Sequence, residues 1–358
     1  MVLRLLGAFV ERGFAVDLIA VGANALAEPL PPGVRLVDAG TDHTRMALPA
    51  LCRYLRRQRP AALLAAKDRA IRTAIVARAL TGVPTRLVGR LGTNLSAALE
   101  GRSAIQRWWR CAPMQRLYPR IDAVVAVSEG VAADTRHITG LPAERVHVVR
   151  NPVITTELPG LIAEPVVHRW LDTGSVPVVM GAGRLTRQKD FVTLIRAFAR
   201  MRRVRDARLI ILGEGGERSH LETCAAEAGV AEAVDLVGQV HNPYAWMARA
   251  DLFVLSSAWE GSPNVLTEAA ACGTPVVATN CPSGPRELLA DGRYGPLVPV
   301  GDDEALATAM AHVLAEPTPA SLLREAVAGY TVEASADGYL RCLGLEPADD
   351  ETRTESPC

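Results

Sequence analysis

Asp251-Leu-Phe-Val-Leu-Ser-Ser-Ala-Trp-Glu260-Gly-Ser-Pro-Asn264-Val-Leu-Thr-Glu268-Ala-Ala-Ala-Cys-Gly273 runs from an apolar strand through a Gly/Ser/Pro loop straight into a helix. Strand, short loop and helix in that order form the repeating unit of a parallel α/β sheet. The loop brings the first backbone N–H groups of the helix to the sheet edge, where an anion can sit. Glu260 stands at the strand's end, and Glu268 lies about one turn into the helix. Ionised carboxylates only accept hydrogen bonds. Two of them beside an anion-binding helix start therefore suit a ligand that carries hydroxyls as well as phosphates, such as a sugar nucleotide. A blander reading makes Glu260 a helix-capping group and Glu268 an exposed helix residue.

The alternation continues on both sides of this stretch. Strand-length runs at Val178–Gly181, Arg208–Leu212, Val234–Leu236, Leu252–Leu255, Val276–Ala278 and Pro296–Val298 alternate with helical patterns between Phe191 and Leu314. An earlier set, Ala15–Val21, Val34–Val37, Ala61–Ala65, Thr85–Val88 and Ala123–Val127, alternates with helices between Val2 and Thr139. A Pro-rich, irregular stretch from Asn151 to Val176 separates the two sets. A chain of 358 residues also outgrows a single core. The expected organisation is α/β throughout: one domain over residues 1–152, a linker over 153–176 and a second domain over 177–328. A helix within 329–345 is expected to return towards the first domain, ahead of a disordered polar tail over 346–358. The chain opens inside its first helix, with no strand or glycine-rich turn before it. Such a strand ordinarily lies centrally in a doubly wound sheet, so a start upstream of Met1, or a fragment, is expected.

Composition narrows the function classes. Apolar residues make up 49% and charged residues 22%, as in a globular protein. The longest apolar runs are strand-length, well short of the ~18 residues a spanning helix needs. No basic-then-apolar leader is evident. Seven cysteines, scattered singly with no C-x-x-C pair, argue against a disulfide framework or a zinc site and fit a reducing, cytoplasmic setting. Formal net charge is zero, yet residues 1–120 carry 19 Lys and Arg against 7 Asp and Glu. That basic front half points to an anionic partner such as a membrane surface, a lipid phosphate or an acidic saccharide, or else to an ordinary Arg-rich surface. Aromatics at 4%, not interleaved with the basic residues, argue against nucleic acid. Lysine occurs only at Lys67 and Lys189.

Gly181-Ala182-Gly183-Arg184-Leu-Thr-Arg187-Gln188-Lys189-Asp190-Phe191 follows the first strand of the second domain. Its glycines allow a ligand close to the backbone, and Asp190 is placed to cap the next helix. Arg184 as a fork and Lys189 as a point charge are spaced to clamp two phosphates, although a surface cation pair has the same spacing. A dinucleotide fingerprint would need glycine where Thr186 stands. Leu212-Gly213-Glu214-Gly215-Gly216 and Val237-Gly238-Gln239-Val240-His241-Asn242-Pro243-Tyr244 close the next two strands. All these loops fall at the carboxyl ends of successive parallel strands, the edge where α/β sheets bind ligands.

These segments, with Ala271-Cys-Gly-Thr-Pro-Val-Val277, resemble the donor domain of a family 4 glycosyltransferase, and the resemblance covers nearly the whole chain. It implies GT-B architecture, with two Rossmann-like domains facing across a cleft. Cys281-Pro282-Ser283-Gly284-Pro285-Arg286-Glu287 is similar to members that use UDP-linked, often N-acetylated hexoses in surface polysaccharide or glycolipid assembly. Carried over by position, the resemblance puts Arg184 and Lys189 on the diphosphate and Glu268 on the ribose. Glu260 would hold a sugar hydroxyl, and the backbone of Ser262, Pro263, Asn264 and Val265 would cradle sugar and phosphate. Gly183, Gly213 and Glu214 would line the approach to the donor, with His241, Asn242 and Tyr244 facing the base. Glu260, Arg184 and Lys189 are the expected catalytic groups. The resemblance further implies a retaining reaction with no metal and no cofactor beyond the UDP-sugar donor. In it the two cations stabilise charge growing on the leaving diphosphate.

The front half departs from the family pattern. The glycine-rich turn after the first strand is absent, and Arg90-Leu-Gly-Thr-Asn94-Leu-Ser96 lacks the His that many relatives carry in that domain. Lys67, Arg90, Thr93 and Asn94, beside Asp68 and Arg69, are candidates for the acceptor side, or else solvated loop residues. No histidine shows metal-ligand spacing; His137, His147 and His220 read as ordinary helix or strand-edge residues. The expected function is transfer of a hexose or N-acetylhexosamine to a lipid-linked or saccharide acceptor at the cytoplasmic face of a membrane. A sugar-nucleotide epimerase of the same architecture and an inactive nucleotide-sugar-binding protein stay open as alternatives.

Overall fold

In the computed structural model, residues 1–22, 29–44, 46–171, 174 and 176–345 are described; the tail expected over 346–358 lies outside them. The first part of the chain runs α1 (Val2–Glu11), β1 (Val16–Ala20), β2 (Val34–Asp38), α2 (Leu48–Gln58), β3 (Ala62–Ala66), α3 (Asp68–Thr81), β4 (Arg86–Leu91), α4 (Leu95–Ala98), α5 (Ala104–Leu117), β5 (Ala123–Ala126), α6 (Glu129–Thr139) and β6 (Val146–Val148). The second part runs α7 (Leu158–Ala163), β7 (Val178–Ala182), α8 (Phe191–Met201), β8 (Arg208–Leu212), α9 (Arg218–Glu227), β9 (Val234–Gly238), α10 (Pro243–Met247), β10 (Leu252–Leu255), α11 (Asn264–Cys272), β11 (Val276–Thr279), α12 (Pro285–Leu288), β12 (Leu297–Val298), α13 (Asp303–Ala315) and α14 (Ala320–Ala326). A last helix, α15, spans Val332–Leu343.

Two compact units result. One comprises Met1–Val127 and Val131–Pro152 with the chain from Thr331 onward; the other comprises Ser128–Gly130 and Val153–Tyr330. In the second unit six parallel strands lie in the order β12-β11-β10-β7-β8-β9. Its inner strands β7, β8, β10 and β11 are buried on both faces, which is why they read as apolar runs. Alternate residues feed two cores. Met180, Ile210, Phe253 and Val276 meet Leu266 and Ala270 of α11 on one face. Val179, Leu209, Ile211 and Val254 meet Leu194 and Phe198 of α8 on the other.

In the first unit β3, β4, β5 and β6 form one parallel sheet, and β1 and β2 form a separate parallel pair. Leu87 and Val124 pack against Leu55, Ile71 and Tyr118. The opposite face, with Val88 and Val125, is covered by Leu5 and Phe9 of α1 together with Tyr339, Leu340 and Leu343 of α15. Side chains pin α15 in place: Ser335 Oγ donates to the Arg150 carbonyl at 2.8 Å, and Arg12 pairs with Asp337 at 2.9 Å.

Four elements escape the sequence patterns. The strand Val146–Val148 is three residues long and α4 is four, too short to show a period. The Pro-rich stretch expected to be irregular contains α7, which starts with proline in its first turn and buries Leu158 in the core of the second unit. The seven-residue α14 buries Leu323 in that same core. No described helix is long and apolar enough to cross a membrane.

Candidate functional site

The order of the strands decides which loops meet. β7 and β10 lie side by side, with Val179 opposite Leu252 and Met180 opposite Phe253. The sequence reverses direction across the sheet here, since β8 flanks β7 on its other side and β11 flanks β10. At such a switch point neighbouring loops diverge and leave a crevice at the carboxyl ends of the strands. The loop after β7 carries Arg184 and Lys189; the loop after β10 carries Glu260.

Those loops are stitched together by four polar contacts. Lys189 Nζ lies 2.6 Å from Glu260 Oε1, and the side chains are only 15% and 7% exposed. Ser257 Oγ donates to the same Oε1 at 2.7 Å. Gln188 Nε2 donates to the Trp259 carbonyl at 2.9 Å, while the Ala258 amide donates to the Gln188 carbonyl at 2.8 Å. Ser256 Oγ holds the Lys189 carbonyl at 2.8 Å. Asp190 then takes the left-handed conformation, with φ of 46°, and its carboxylate accepts from the amide and hydroxyl of Thr193 to start α8. Asp is among the few side chains that tolerate this geometry.

Glu260 is thus a mostly desolvated carboxylate whose charge is matched by one ammonium and one hydroxyl. Arg184, by contrast, is exposed and has no ion pair among the described residues. The pair and the free guanidinium together can receive an anion: Arg184 is open to it, and Lys189 can be shared with it. Cys281 lies close enough to feel the Glu260 charge. Burial first, then that charge, pushes its thiol up to about 12, so it stays protonated near neutrality.

The glycine turns shape the rest of the edge. Gly213 has φ of +130°, and a β-carbon there would lie 2.0 Å from the Gly183 carbonyl oxygen. Its amide bonds the Gly238 carbonyl at 2.7 Å, and the Gly183 amide bonds the Leu212 carbonyl at 2.9 Å, so three successive loops are tied at their roots. Glu214 is exposed and ion-paired to Arg218, whose hydrogen bonds hold its carboxyl below the ordinary range. α11 begins at Asn264 with Pro263 before it, and no N-cap side chain hydrogen-bonds its first turn. Ser262, Asn264, Val265 and Glu268 are half-buried around that helix start, while Pro263 is buried.

Two of the three residues expected to face a base carry structural contacts. Asn242 Oδ1 caps α10 through the Tyr244 and Ala245 amides, and its Nδ2 donates to the Leu161 carbonyl and to Glu164. Tyr244 is buried in the core of the second unit. Sequence spacing could not separate a polar loop residue from a helix cap; of the three, only His241 is exposed. Ser257, Gln188 and Arg218 were not foreseen. Their signal was faint: a hydroxyl three residues before Glu260, an amide beside Lys189, and an Arg four residues after Glu214.

In the first unit, the Lys67 amide bonds the Arg90 carbonyl at 3.1 Å, which brings these two candidates to neighbouring strand ends. Lys67 is exposed and has φ of +73°. The Arg90 guanidinium donates to Asn151 Oδ1 at 2.8 Å, and Asn94 caps α4 through the Ala97 amide at 2.9 Å. Thr93 is exposed. Asp68 is buried, paired with Arg72 at 2.9 Å and with Arg110, and it accepts from the Tyr118 hydroxyl at 3.2 Å. Burial and the Asp68 charge push the Tyr118 phenol well above its ordinary value. Among the described residues no group of three or more His, Cys, Asp or Glu is arranged to hold a metal.

The sequence profile of Glycosyl transferases group 1 matches residues 176–316, and that of Glycosyltransferase Family 4 matches residues 1–157. The chain is 38% identical over 183 residues to the lipopolysaccharide core biosynthesis glycosyltransferase LpsE of Rhizobium meliloti, covering 49% of this chain and 53% of that protein. It is 32% identical over 190 residues to a Campylobacter jejuni 4-alpha-N-acetylgalactosaminyltransferase named for a diphospho-undecaprenol substrate, covering 53% of this chain and 50% of that protein. The chain therefore spans about half the length of the curated relatives it matches. HepE of Anabaena, solved with UDP and glucose, superposes with a TM-score of 0.75 at 21% identity, over 95% of both chains. The parallel sheets, the loops gathered at the β7–β10 switch point and the two profile matches lead to one assignment: the chain belongs to glycosyltransferase family 4, with the α/β fold of the GT-B enzymes.

Proposed function

We propose that this protein transfers a hexose or N-acetylhexosamine from a UDP-sugar to a lipid-linked or saccharide acceptor, with retention and without a metal. It would work in the cytoplasm, peripherally at the inner membrane face, and without nucleic acid. The observation that carries the proposal is the Lys189–Glu260 pair, held at 2.6 Å at the switch point beside an open Arg184. When the donor diphosphate arrives, Arg184 meets it first and Lys189 shifts its ammonium towards it. Glu260, relieved of its partner, then accepts a hydrogen bond from a sugar hydroxyl. As the bond from the anomeric carbon to the diphosphate oxygen breaks, the two cations stabilise the growing negative charge. The acceptor hydroxyl forms the new bond on the same face, and its proton passes to the departing diphosphate. The UDP and glucose bound by HepE and the lipid-linked substrate named for the Campylobacter relative support the donor and acceptor classes.

The test pairs binding with turnover. Wild type should bind UDP and release it from a UDP-sugar in the presence of acceptor. Glu260→Gln should keep UDP affinity within about threefold while losing on the order of 10²-fold in transfer, the scale for removing one transition-state contact. UDP binding without any transfer would favour the inactive-binder alternative. Wild-type turnover in the Gln variant would remove Glu260 from the mechanism.

A further inference from the structure

The helix α5 has a first half that the fold does not use. Gly101 through Trp109 are all exposed, and Ile105, Trp108 and Trp109 are 70%, 54% and 69% exposed. At positions i, i+3 and i+4 they form one apolar stripe. The two indoles meet edge to face, with centroids 5.3 Å apart. This half of the helix is built, not frayed. Ser103 and Gln106 close a reciprocal capping box at its start. Its second half is anchored by buried Ala112 and Met114 and by the Arg110–Asp68 pair. Pro113 lacks the N–H that would bond the Trp109 carbonyl, so the boundary between exposed and buried halves coincides with a break in the helix ladder.

Charge identifies the occupant. Residues 100–120 contain five arginines (Arg102, Arg107, Arg110, Arg116 and Arg120) and one acid, Glu100. Neither Arg102 nor Arg107 has an ion pair among the described residues. Tryptophans on one side of a helix with arginines beside and behind them match a helix that lies in a bilayer interface, with its indoles at headgroup depth and its guanidiniums on lipid phosphates. A protein partner would be expected to meet a stripe without such an excess of one sign.

We propose that the amino-terminal half of α5 is the membrane-docking element of this protein, inserting Ile105, Trp108 and Trp109 into an anionic lipid surface while Arg102 and Arg107 engage its headgroups. The proposal rests on the peripheral-membrane part of the function above, and its test needs neither donor nor acceptor. The full chain is sedimented with vesicles of phosphatidylcholine alone or mixed with phosphatidylglycerol, and tryptophan emission is recorded in parallel. Wild type should partition onto the mixed vesicles with a blue shift and release as salt is raised. Trp108→Ser/Trp109→Ser should lower partitioning about tenfold. Arg102→Gln/Arg107→Gln should lower it on mixed vesicles by roughly fivefold per arginine, while partitioning onto neutral vesicles stays unchanged. Both variants change only exposed residues, and unaltered UDP binding would show that the donor unit is intact. Equal partitioning of wild type and tryptophan variant would overturn the proposal. So would no binding by wild type, or a wild-type dimer that the tryptophan variant converts to monomer. Loss of sugar transfer with lipid binding intact would count against the enzymatic reading alone.

Discussion

Lys189 and Glu260 are 71 positions apart in the chain and 2.6 Å apart in space, and each lowers the cost of burying the other's charge. Removing one partner leaves the other charged and desolvated, which typically costs 3–5 kcal/mol. Lys189→Ala should therefore lower unfolding stability by about 3 kcal/mol and weaken UDP binding by about 1.5–3 kcal/mol, the range for a charged hydrogen bond. Adding Glu260→Gln to it should restore most of the stability but none of the affinity. Denaturant melts and calorimetric titrations of the four proteins in the cycle check both parts; additive stability losses would mean that the pair is not coupled. The residue types were legible in the sequence, because an almost lysine-free chain keeps one lysine inside a glycine-flanked loop. That the lysine would be held by Glu260 was not, since no local pattern links those positions.

At the scale of elements, the loop edge of the second unit depends on glycines that let backbones touch. Gly213→Ala would set a methyl group 2.0 Å from the Gly183 carbonyl oxygen, at a φ that side chains avoid. It should cost about 2 kcal/mol or more and displace the Arg184–Lys189 loop. Gly216→Ala, three residues on, meets nothing within 4 Å and should stay within about 0.5 kcal/mol of wild type. Urea unfolding of the two variants separates close approach from a general glycine effect; equal losses would contradict the geometry. Helices with a clear period, such as α8, and continuous apolar strands, such as β8 and β10, were readable from the chain, whereas β6, α4, α7 and α14 were not. The same limit applies to Asn242, whose capping role is fixed by two amides and a contact to α7 that sequence spacing cannot reveal.

At the scale of the molecule, the chain leaves its first unit after Pro152 and returns at Thr331, so the last helix completes a core begun by the first. Tyr339 is 1% exposed among Leu5, Phe9, Val88 and Val125. Tyr339→Ala should cost that unit about 3–5 kcal/mol, the range for deleting a buried aromatic ring. Limited proteolysis read by mass spectrometry should then show its first cuts before Pro152, with residues 178–330 still protected. Cleavage spread evenly over both units would mean that α15 is not specific to the first. Apolar period, turn residues and loop composition were enough to read parallel α/β units and the loops that carry cations and carboxylates, because those signals arise from neighbours along the chain. Strand order, which sets β10 beside β7 and thereby Glu260 beside Lys189, came from the packing of both sheet faces, as did the return of α15. Pairings between residues far apart in sequence follow from which apolar surfaces bury one another, and local propensity carries no record of that.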